Sequence, residues 1–312
     1  MTGGGAVPVI RAEGLSKFYG QVLGLSDVTV SIGGGITGLL GPNGAGKSTF
    51  LWMAAGQLRP SAGSLEVYGT RVPGGSELRR RIGICPEPDA FYWEMTGRQF
   101  VTNLARLSGL YEKEARSKAQ EALVRVGLVE VMDRAIRTYS RGMRQRVKLA
   151  QALAAGPDLL LLDEPLAGAD PVGRHELMEL IRGLAREGKD VLVSSHVLQE
   201  IEALTDTVVL LFHGRVVAQG KIEAIRELLD QYPHEVVIVC DRERELGREM
   251  LAFEDVVSCQ VSEGGVVTVR TRRPGEFYGR LPGVLTRGRY HVARIQTVND
   301  SLEAVFRYLA GG

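Results

Sequence analysis

Apolar positions near the start of the chain form short β-rich runs that glycine turns separate. Runs of this kind, bounded by glycine, predict strands rather than helices. The strands predicted in this way cover residues 22–32, 36–40, 63–68 and 79–85. We therefore expect the chain to begin with a β-rich region.

The period of the apolar pattern changes at about residue 94, where hydrophobic residues begin to recur at helical spacing. Phe100, Leu104 and Leu107 fall at i, i+4 and i+7, which predicts one buried helix face. A second stripe consists of Ala115, Ala119, Ala122, Leu123 and Val126. We interpret residues 94–155 as a helical insert whose stripes face a core.

Strands and helices alternate again after this insert. The predicted strands cover residues 158–163, 190–195 and 207–212, and the predicted helices cover 172–186, 197–204 and 222–229. Near-continuous apolar strands that alternate with helices favour a parallel sheet buried on both faces. The predicted fold class is therefore α/β.

The pattern changes once more after Pro233. Predicted strands at 235–240 and 266–270 flank a helix at 243–252. A last amphipathic helix at 301–310 places Leu302, Val305, Phe306 and Leu309 on one face. We divide the chain into a flexible tail at 1–8, a main domain at 9–232 and a small accessory α+β domain at 233–312.

Composition narrows the class of protein. The chain has 312 residues, of which 44% are hydrophobic, enough for about two domains. A net charge of +1 gives no global field that would recruit nucleic acid or a membrane surface. No apolar stretch approaches the roughly 18 residues of a membrane span, and the first residues lack the pattern of a signal peptide. Cys85, Cys240 and Cys259 lack metal-ligand spacing, which favours buried, reduced thiols.

The segment after the strand at 36–40 matches the phosphate-binding template G-x-x-x-x-G-K-[ST] in full. It consists of Gly41, Pro42, Asn43, Gly44, Ala45, Gly46, Lys47, Ser48 and Thr49. Its glycines let backbone N–H groups turn toward phosphate oxygens, and the next helix adds the positive end of its dipole. Lys47 would reach the β- and γ-phosphates, and Ser48 would hold Mg²⁺. A plain glycine turn is the alternative, and the strand–loop–helix setting argues against it.

Polar residues follow two further strands of the predicted sheet, whose carboxyl ends meet at one edge. Asp163 would orient Mg²⁺, and Glu164 would polarise an attacking water. His196 follows the strand at 190–195 and could contact the γ-phosphate and that water. Alone, an Asp-Glu-Pro turn or a single histidine is often structural. Together with the phosphate loop, these residues predict nucleotide hydrolysis.

A second predicted anion site lies at the start of the helix that follows Tyr139. Ser140 is a good N-cap residue, and Gly142 permits close approach of the backbone to a ligand. The helix N-terminus presents free N–H donors. A single nucleotide does not need both sites in one subunit.

In their order along the chain, these motifs resemble those of ABC transporter ATPase subunits, over about residues 9–230. The resemblance implies a P-loop NTPase fold with a parallel-sheet core, an antiparallel β subdomain and a helical insert. Residues 139–143 match the family's signature motif, and His196 matches its switch histidine. Asp170 resembles the acidic residue of the dimer-contact loop. Tyr19 matches the aromatic that stacks on adenine, although a plain core or surface tyrosine is the alternative.

The resemblance further implies ATP and Mg²⁺ as cofactors and a head-to-tail dimer, with an identical or a related subunit. Each ATP would lie between the phosphate loop of one subunit and Ser140 and Gly142 of the other. Three residues depart from the family pattern. Glu87 replaces the usual magnesium-contacting Gln. In the signature, Arg141 replaces a Gly and Met143 replaces the final Gln. Glu87 can still ligate Mg²⁺. These variants are similar to the bacterial export-type branch.

The leading interpretation is an energy-coupling ATPase on the cytoplasmic face of the membrane, working with separate integral membrane subunits. Residues 87–98 would receive that partner, with Tyr92 and Trp93 as exposed aromatics or, alternatively, as core residues.

A soluble ABC-type ATPase acting on ribosomes or nucleic acid is the alternative. Its support is a basic run: Arg134, Arg137, Arg141, Arg144, Arg146 and Lys148. A solvated helix face explains that run more simply, and the single phosphate loop argues against the soluble class, so no nucleic-acid partner is expected. A nucleotide-sensing regulator is a third option, against which Glu164 and His196 argue.

Overall fold

A computed structural model describes residues 8–225, 234–262 and 264–297. The chain divides into two compact units, Met1–Lys221 and Ile222–Gly312. The expected helix at 301–310, the tail at 1–7 and most of the helix expected at 222–229 lie outside the described residues, although 222–225 are helical. The division at 232/233 stays a prediction.

The first unit contains two sheets. Its strands are β1 (Ile10–Tyr19), β2 (Val22–Ile32), β3 (Ile36–Leu40), β4 (Ala62–Val67), β5 (Thr70–Arg71), β6 (Ile82–Cys85), β7 (Leu159–Leu162), β8 (Asp190–Ser195), β9 (Thr207–Phe212) and β10 (Arg215–Lys221). Four of them form an antiparallel sheet in the order β2-β1-β4-β5. The others form a sheet in the order β10-β9-β3-β8-β7-β6, parallel except for the edge strand β10. The α/β prediction is confirmed.

The parallel strands are buried because helices and the antiparallel sheet cover them. All four residues of β7 are at most 1% exposed, as its continuous leucine run predicts. The helices are α1 (Lys47–Ala54), α2 (Ser76–Arg80), α3 (Gly97–Leu107), α4 (Glu112–Arg125), α5 (Arg141–Leu153), α6 (Pro171–Arg186) and α7 (Leu198–Glu202). A 3₁₀ turn at Ile136–Thr138 precedes α5.

The helical insert exists as predicted, but one strand predicted before it and one residue of its first stripe were wrong. The strand expected at 79–85 is only Ile82–Cys85, because Arg79 and Arg80 end α2, where their charge suits the helix C-terminus. Leu107 is 83% exposed because α3 ends there. The buried face of α3 is formed by residues such as Phe100 and Ala105 instead. The second stripe is buried throughout.

The second unit is an α+β fold with a core of its own. Its elements are β11 (His234–Cys240), α8 (Glu243–Leu251), β12 (Val256–Ser262), β13 (Val266–Thr271), α9 (Pro274–Arg287) and β14 (Val292–Thr297). The strands form an antiparallel sheet in the order β12-β13-β11-β14. Ile238, Leu246 and Phe277 are fully buried in the core.

Candidate nucleotide-binding site

The phosphate loop connects β3 to α1, as expected. Gly46 has φ +104°, and a Cβ there would lie 2.6 Å from the carbonyl oxygen of Gly24. Gly44 also has positive φ, +80°. A Cβ at Gly41 would collide with the carbonyl oxygen of Leu211. These positions need glycine, because side chains would strain the backbone or displace neighbouring strands.

Lys47, the first residue of α1, is 6% exposed. Its Nζ donates hydrogen bonds to the carbonyl oxygens of Gly41, at 2.7 Å, and Pro42, at 3.3 Å. The same Nζ lies 3.2 Å from Oε1 of Glu164. A buried ammonium needs such compensation. The loop therefore places its positive charge beside the carboxylate at the end of β7.

Asp163 and Glu164 follow β7 directly, and both are buried. Oδ1 of Asp163 accepts a hydrogen bond from Oγ of Ser194 at 2.7 Å. Oδ2 is buried and has no hydrogen-bond partner among the described residues. A buried carboxylate oxygen without a partner suits a hard cation such as Mg²⁺. The donor chemistry of Asp163 and of the half-buried Ser48 therefore fits magnesium.

Glu164 adopts a left-handed backbone conformation with φ +47°. Its N–H donates to Ser194 Oγ at 2.9 Å, and its carbonyl oxygen accepts from Nε2 of the buried Gln145 at 3.3 Å. Oε2 lies 3.0 Å from Nδ1 of His196. The Glu164 backbone is therefore held by contacts from β8 and α5, and its Oε2 is held by the histidine, while Oε1 makes no hydrogen bond within the described part of the chain.

His196 and Glu164 differ in solvent access. The His196 side chain is 47% exposed, whereas that of Glu164 is 6% exposed. The histidine thus forms the rim of the site and the carboxylate its floor. Direct contacts bring together Lys47, Glu164 and His196. The first and the last of them are 149 residues apart in the sequence (196 − 47).

Tyr19 occupies an exposed position near α1. Its side chain is 45% exposed, and its Oη lies 3.4 Å from Oγ1 of Thr49. A Cβ at Gly24 would lie 2.8 Å from the ring, so glycine at that position leaves room for it. Tyr19 is therefore not a core residue. Lys17 Nζ lies 5.5 Å from the centre of its ring, and stacking of the ring on adenine stays a prediction.

The predicted second anion site lies in a groove of about 600 Å³ whose lining contains no phosphate-loop residue. Ser140 caps α5 by accepting a hydrogen bond from the N–H of Met143 at 3.2 Å. Gly142, Met143 and Asp170 also line the groove. A Cβ at Gly142 would meet open space, so a ligand can approach its backbone. The two candidate anion sites are thus separate surfaces.

Arg141 and Glu87 are two of the residues that depart from the family pattern. A Cβ at Gly168, which has φ +73°, would collide with the Arg141 guanidinium, so Arg141 covers the loop that contains Asp170. Glu87 is exposed, and its carbonyl oxygen accepts a hydrogen bond from Lys148 Nζ at 2.6 Å. The described residues contain no group of three or more His, Cys, Asp or Glu arranged to hold a metal. The assignment of Glu87 to magnesium stays a prediction.

Members of the basic run mostly have acidic or backbone partners. Lys148 is 4% exposed and also lies 3.3 Å from Asp89. Arg144 pairs with Asp89, and Arg146 and Arg137 pair with glutamates. Side chains paired in this way offer little free charge to nucleic-acid phosphates.

The aromatics Tyr92 and Trp93 are 67% and 44% exposed, so they are not core residues of the insert. Trp93 packs edge-on against Phe91, and Phe91 packs against Phe100 of α3. The Arg144 guanidinium lies 5.9 Å from the Trp93 ring centre. α5 thus connects the groove at Ser140 with this aromatic surface.

Comparison with known proteins identifies related sequences and structures. The family profile described as ABC transporter matches residues 25–167. The daunorubicin/doxorubicin resistance ATP-binding protein DrrA of Streptomyces peucetius is 32% identical, over 97% of this chain and 92% of the relative. The bacitracin transport ATP-binding protein BcrA of Bacillus licheniformis is 31% identical, over 97% of this chain and 98% of the relative. The dimeric structure of a bacterial ABC transporter cassette matches with a TM-score of 0.63 and 25% identity, over 68% of this chain and 98% of that one.

The chain belongs to the ATP-binding subunits of ABC transporters, in their export-type branch. It is an ATPase that couples hydrolysis to transport, and like other members it dimerises and works with membrane subunits. Among the described residues, no helix is both long and apolar enough to cross a bilayer.

Proposed function

We propose that the chain binds Mg²⁺-ATP at the phosphate loop and hydrolyses it with Glu164 as the general base. The observation that carries the proposal is the convergence of Lys47 and His196 on the two carboxylate oxygens of Glu164, at 3.2 and 3.0 Å. Groups within hydrogen-bonding reach of the base can orient it and change its interactions when ATP binds.

In the proposed reaction, Lys47 exchanges contacts with loop carbonyls for contacts with the β- and γ-phosphates. Glu164 takes a proton from a water that attacks the γ-phosphorus, and ADP leaves on the opposite side. His196 orients the Glu164 carboxylate and the water from the exposed rim. Ser48 and Asp163 would hold magnesium, with Glu87 as a further ligand, and the ion would neutralise charge on the phosphates. Tyr19 would stack on the adenine ring.

We further propose that Ser140, Gly142 and Asp170 serve the ATP bound by a facing subunit. Their groove is separate from the phosphate loop, so they act on nucleotide only if a second subunit provides it. The N-capped end of α5 offers N–H donors for phosphate oxygens there. The facing subunit is a second copy or a related ATPase subunit.

The membrane partner, in this proposal, docks on residues 87–98 at the cytoplasmic face of the membrane, with Tyr92 and Trp93 as contacts. Large exposed aromatics favour a protein interface at this surface. The names of DrrA and BcrA connect those relatives with daunorubicin/doxorubicin resistance and bacitracin transport, which supports export for this chain. The membrane subunit, rather than this chain, selects the cargo.

Steady-state ATPase assays of Glu164→Gln test the proposed base. We expect kcat to fall by at least about 10²-fold, because the amide cannot take the proton, while ATP binding persists. Glu176→Gln, a change at an exposed glutamate of α6, is the matched control and should leave kcat within about twofold of wild type. Hydrolysis by Glu164→Gln at the wild-type rate would remove Glu164 from the mechanism.

A further inference from the structure

The hydroxyl of Ser194 contacts both acidic residues of the site. Its Oγ donates to Oδ1 of Asp163 at 2.7 Å and accepts from the N–H of Glu164 at 2.9 Å. Ser194 is completely buried in β8. The parallel register pairs Leu162 with Val193, so Ser194 lies beside Asp163 one position further along.

Each of these hydrogen bonds fixes one feature of the site. Since Oδ1 of Asp163 is occupied by Ser194, Oδ2 is the oxygen left without a partner. Since Ser194 accepts a hydrogen bond from the N–H of Glu164, it supports the left-handed backbone conformation of Glu164, which residues other than glycine rarely adopt. A serine hydroxyl has one donor and can accept as well, so one side chain meets both demands.

The adjacent serine, Ser195, has different hydrogen-bond partners. Oγ of Ser195 donates to Oε2 of Glu200 at 2.7 Å and accepts from the N–H of Val197 at 3.0 Å. Successive side chains of a strand point to opposite faces, which separates these contacts from those of Ser194. Ser194 is therefore the β8 hydroxyl that faces the acidic pair.

We propose that Ser194 is a positioning residue for ATP hydrolysis. It selects the Asp163 oxygen that faces magnesium, and it holds the Glu164 backbone so that the carboxylate reaches the γ-phosphate. This inference rests on the roles proposed above for Asp163 and Glu164. Ser194 itself touches neither ATP nor the attacking water.

Ser194→Ala tests this role by leaving Asp163 Oδ1 and the Glu164 N–H without their partner. We expect kcat to fall about 10- to 100-fold, the effect of losing a hydrogen bond to a charged group, with KM for ATP changed less than about threefold. Binding of a fluorescent ATP analogue in EDTA should be unchanged. The gain in its affinity on adding Mg²⁺ should shrink at least about tenfold.

Thr271→Val is the matched control in the accessory unit. Thr271 is fully buried, donates to Asp255 Oδ2 at 3.0 Å and accepts from the N–H of Arg273 at 3.2 Å. It therefore has the same hydrogen-bonding pattern as Ser194, outside the proposed site. The control should lose stability without losing kcat or the magnesium-dependent gain in affinity.

A Ser194→Ala protein with wild-type kcat and a wild-type response to magnesium would overturn the inference. If that variant does not fold, Ser194→Cys retains a weaker donor of similar size. Intermediate values of kcat and of the magnesium response in Ser194→Cys would support the role, and wild-type values would overturn it. Failure of the proposed base is distinguishable, because Glu164→Gln would then hydrolyse ATP normally.

Discussion

Replacing His196 with alanine tests how much of catalysis depends on the exposed rim of the site. The change removes the 3.0 Å contact between Nδ1 and Oε2 of Glu164. Because the His196 side chain is 47% exposed, its loss leaves no cavity, and we expect stability to change by less than about 1 kcal/mol. Catalysis should suffer far more, because the histidine would orient both the base and the water. We expect kcat to fall by about 10²-fold, equivalent to about 2.7 kcal/mol of transition-state stabilisation.

The assay combines steady-state ATP hydrolysis with urea unfolding of the same preparations. His175→Ala, a change at an exposed histidine of α6, controls for loss of an imidazole. His196→Asn, whose amide can replace the Nδ1 contact, should recover part of the rate. An His196→Ala rate within threefold of wild type, or a loss of rate matched by an equal loss of stability, would refute the reasoning.

Three further predictions concern other parts of the molecule. Burial raises the pKa of the Cys85 thiol to about 12, so native protein should be alkylated at Cys259 before Cys85. Because the folded state keeps this thiol neutral, the free energy of unfolding, measured with urea, should decline as pH rises from about 9 toward 12. Gly46→Ala should destabilise by about 1–3 kcal/mol and abolish binding of fluorescent ATP, because φ is +104° and the new Cβ would meet Gly24; unchanged binding would contradict this. Trp93→Ala should keep basal ATPase activity within about twofold but lose co-purification with the membrane subunit; retained co-purification would contradict the proposed docking surface.

Sequence alone predicted the parts of the site that depend on local chemistry. The phosphate loop follows from glycine and lysine spacing, and Asp163 and His196 follow from their places at strand ends. Ser194 and Gln145 were missed because their role depends on which neighbour β8 and α5 bring beside Glu164. The available signal was the presence of polar residues at buried positions of β8 and α5, and it is visible only once the buried faces of those elements are known.

The fold shows the same division between local and tertiary information. Continuous apolar runs predicted β3, β8 and β9 with the observed bounds. Three elements of the second unit were missed. α9 contains Pro282 and several glycines, which mask its helical pattern, and it is stabilised by burial of residues such as Phe277. β12 and β14 are edge strands with largely exposed residues, so their alternation is weak.

The central claim is that two ATPase subunits close around ATP, with the Ser140 groove of each completing the phosphate loop of the other. The most direct test is the molar mass of Glu164→Gln in saturating ATP, measured by light scattering, with and without a second change of Ser140→Arg. Ser117→Arg, a change at an exposed serine of α4, controls for added charge and bulk. The account predicts an ATP-dependent dimer that Ser140→Arg abolishes and Ser117→Arg preserves. A dimer that survives Ser140→Arg would contradict it.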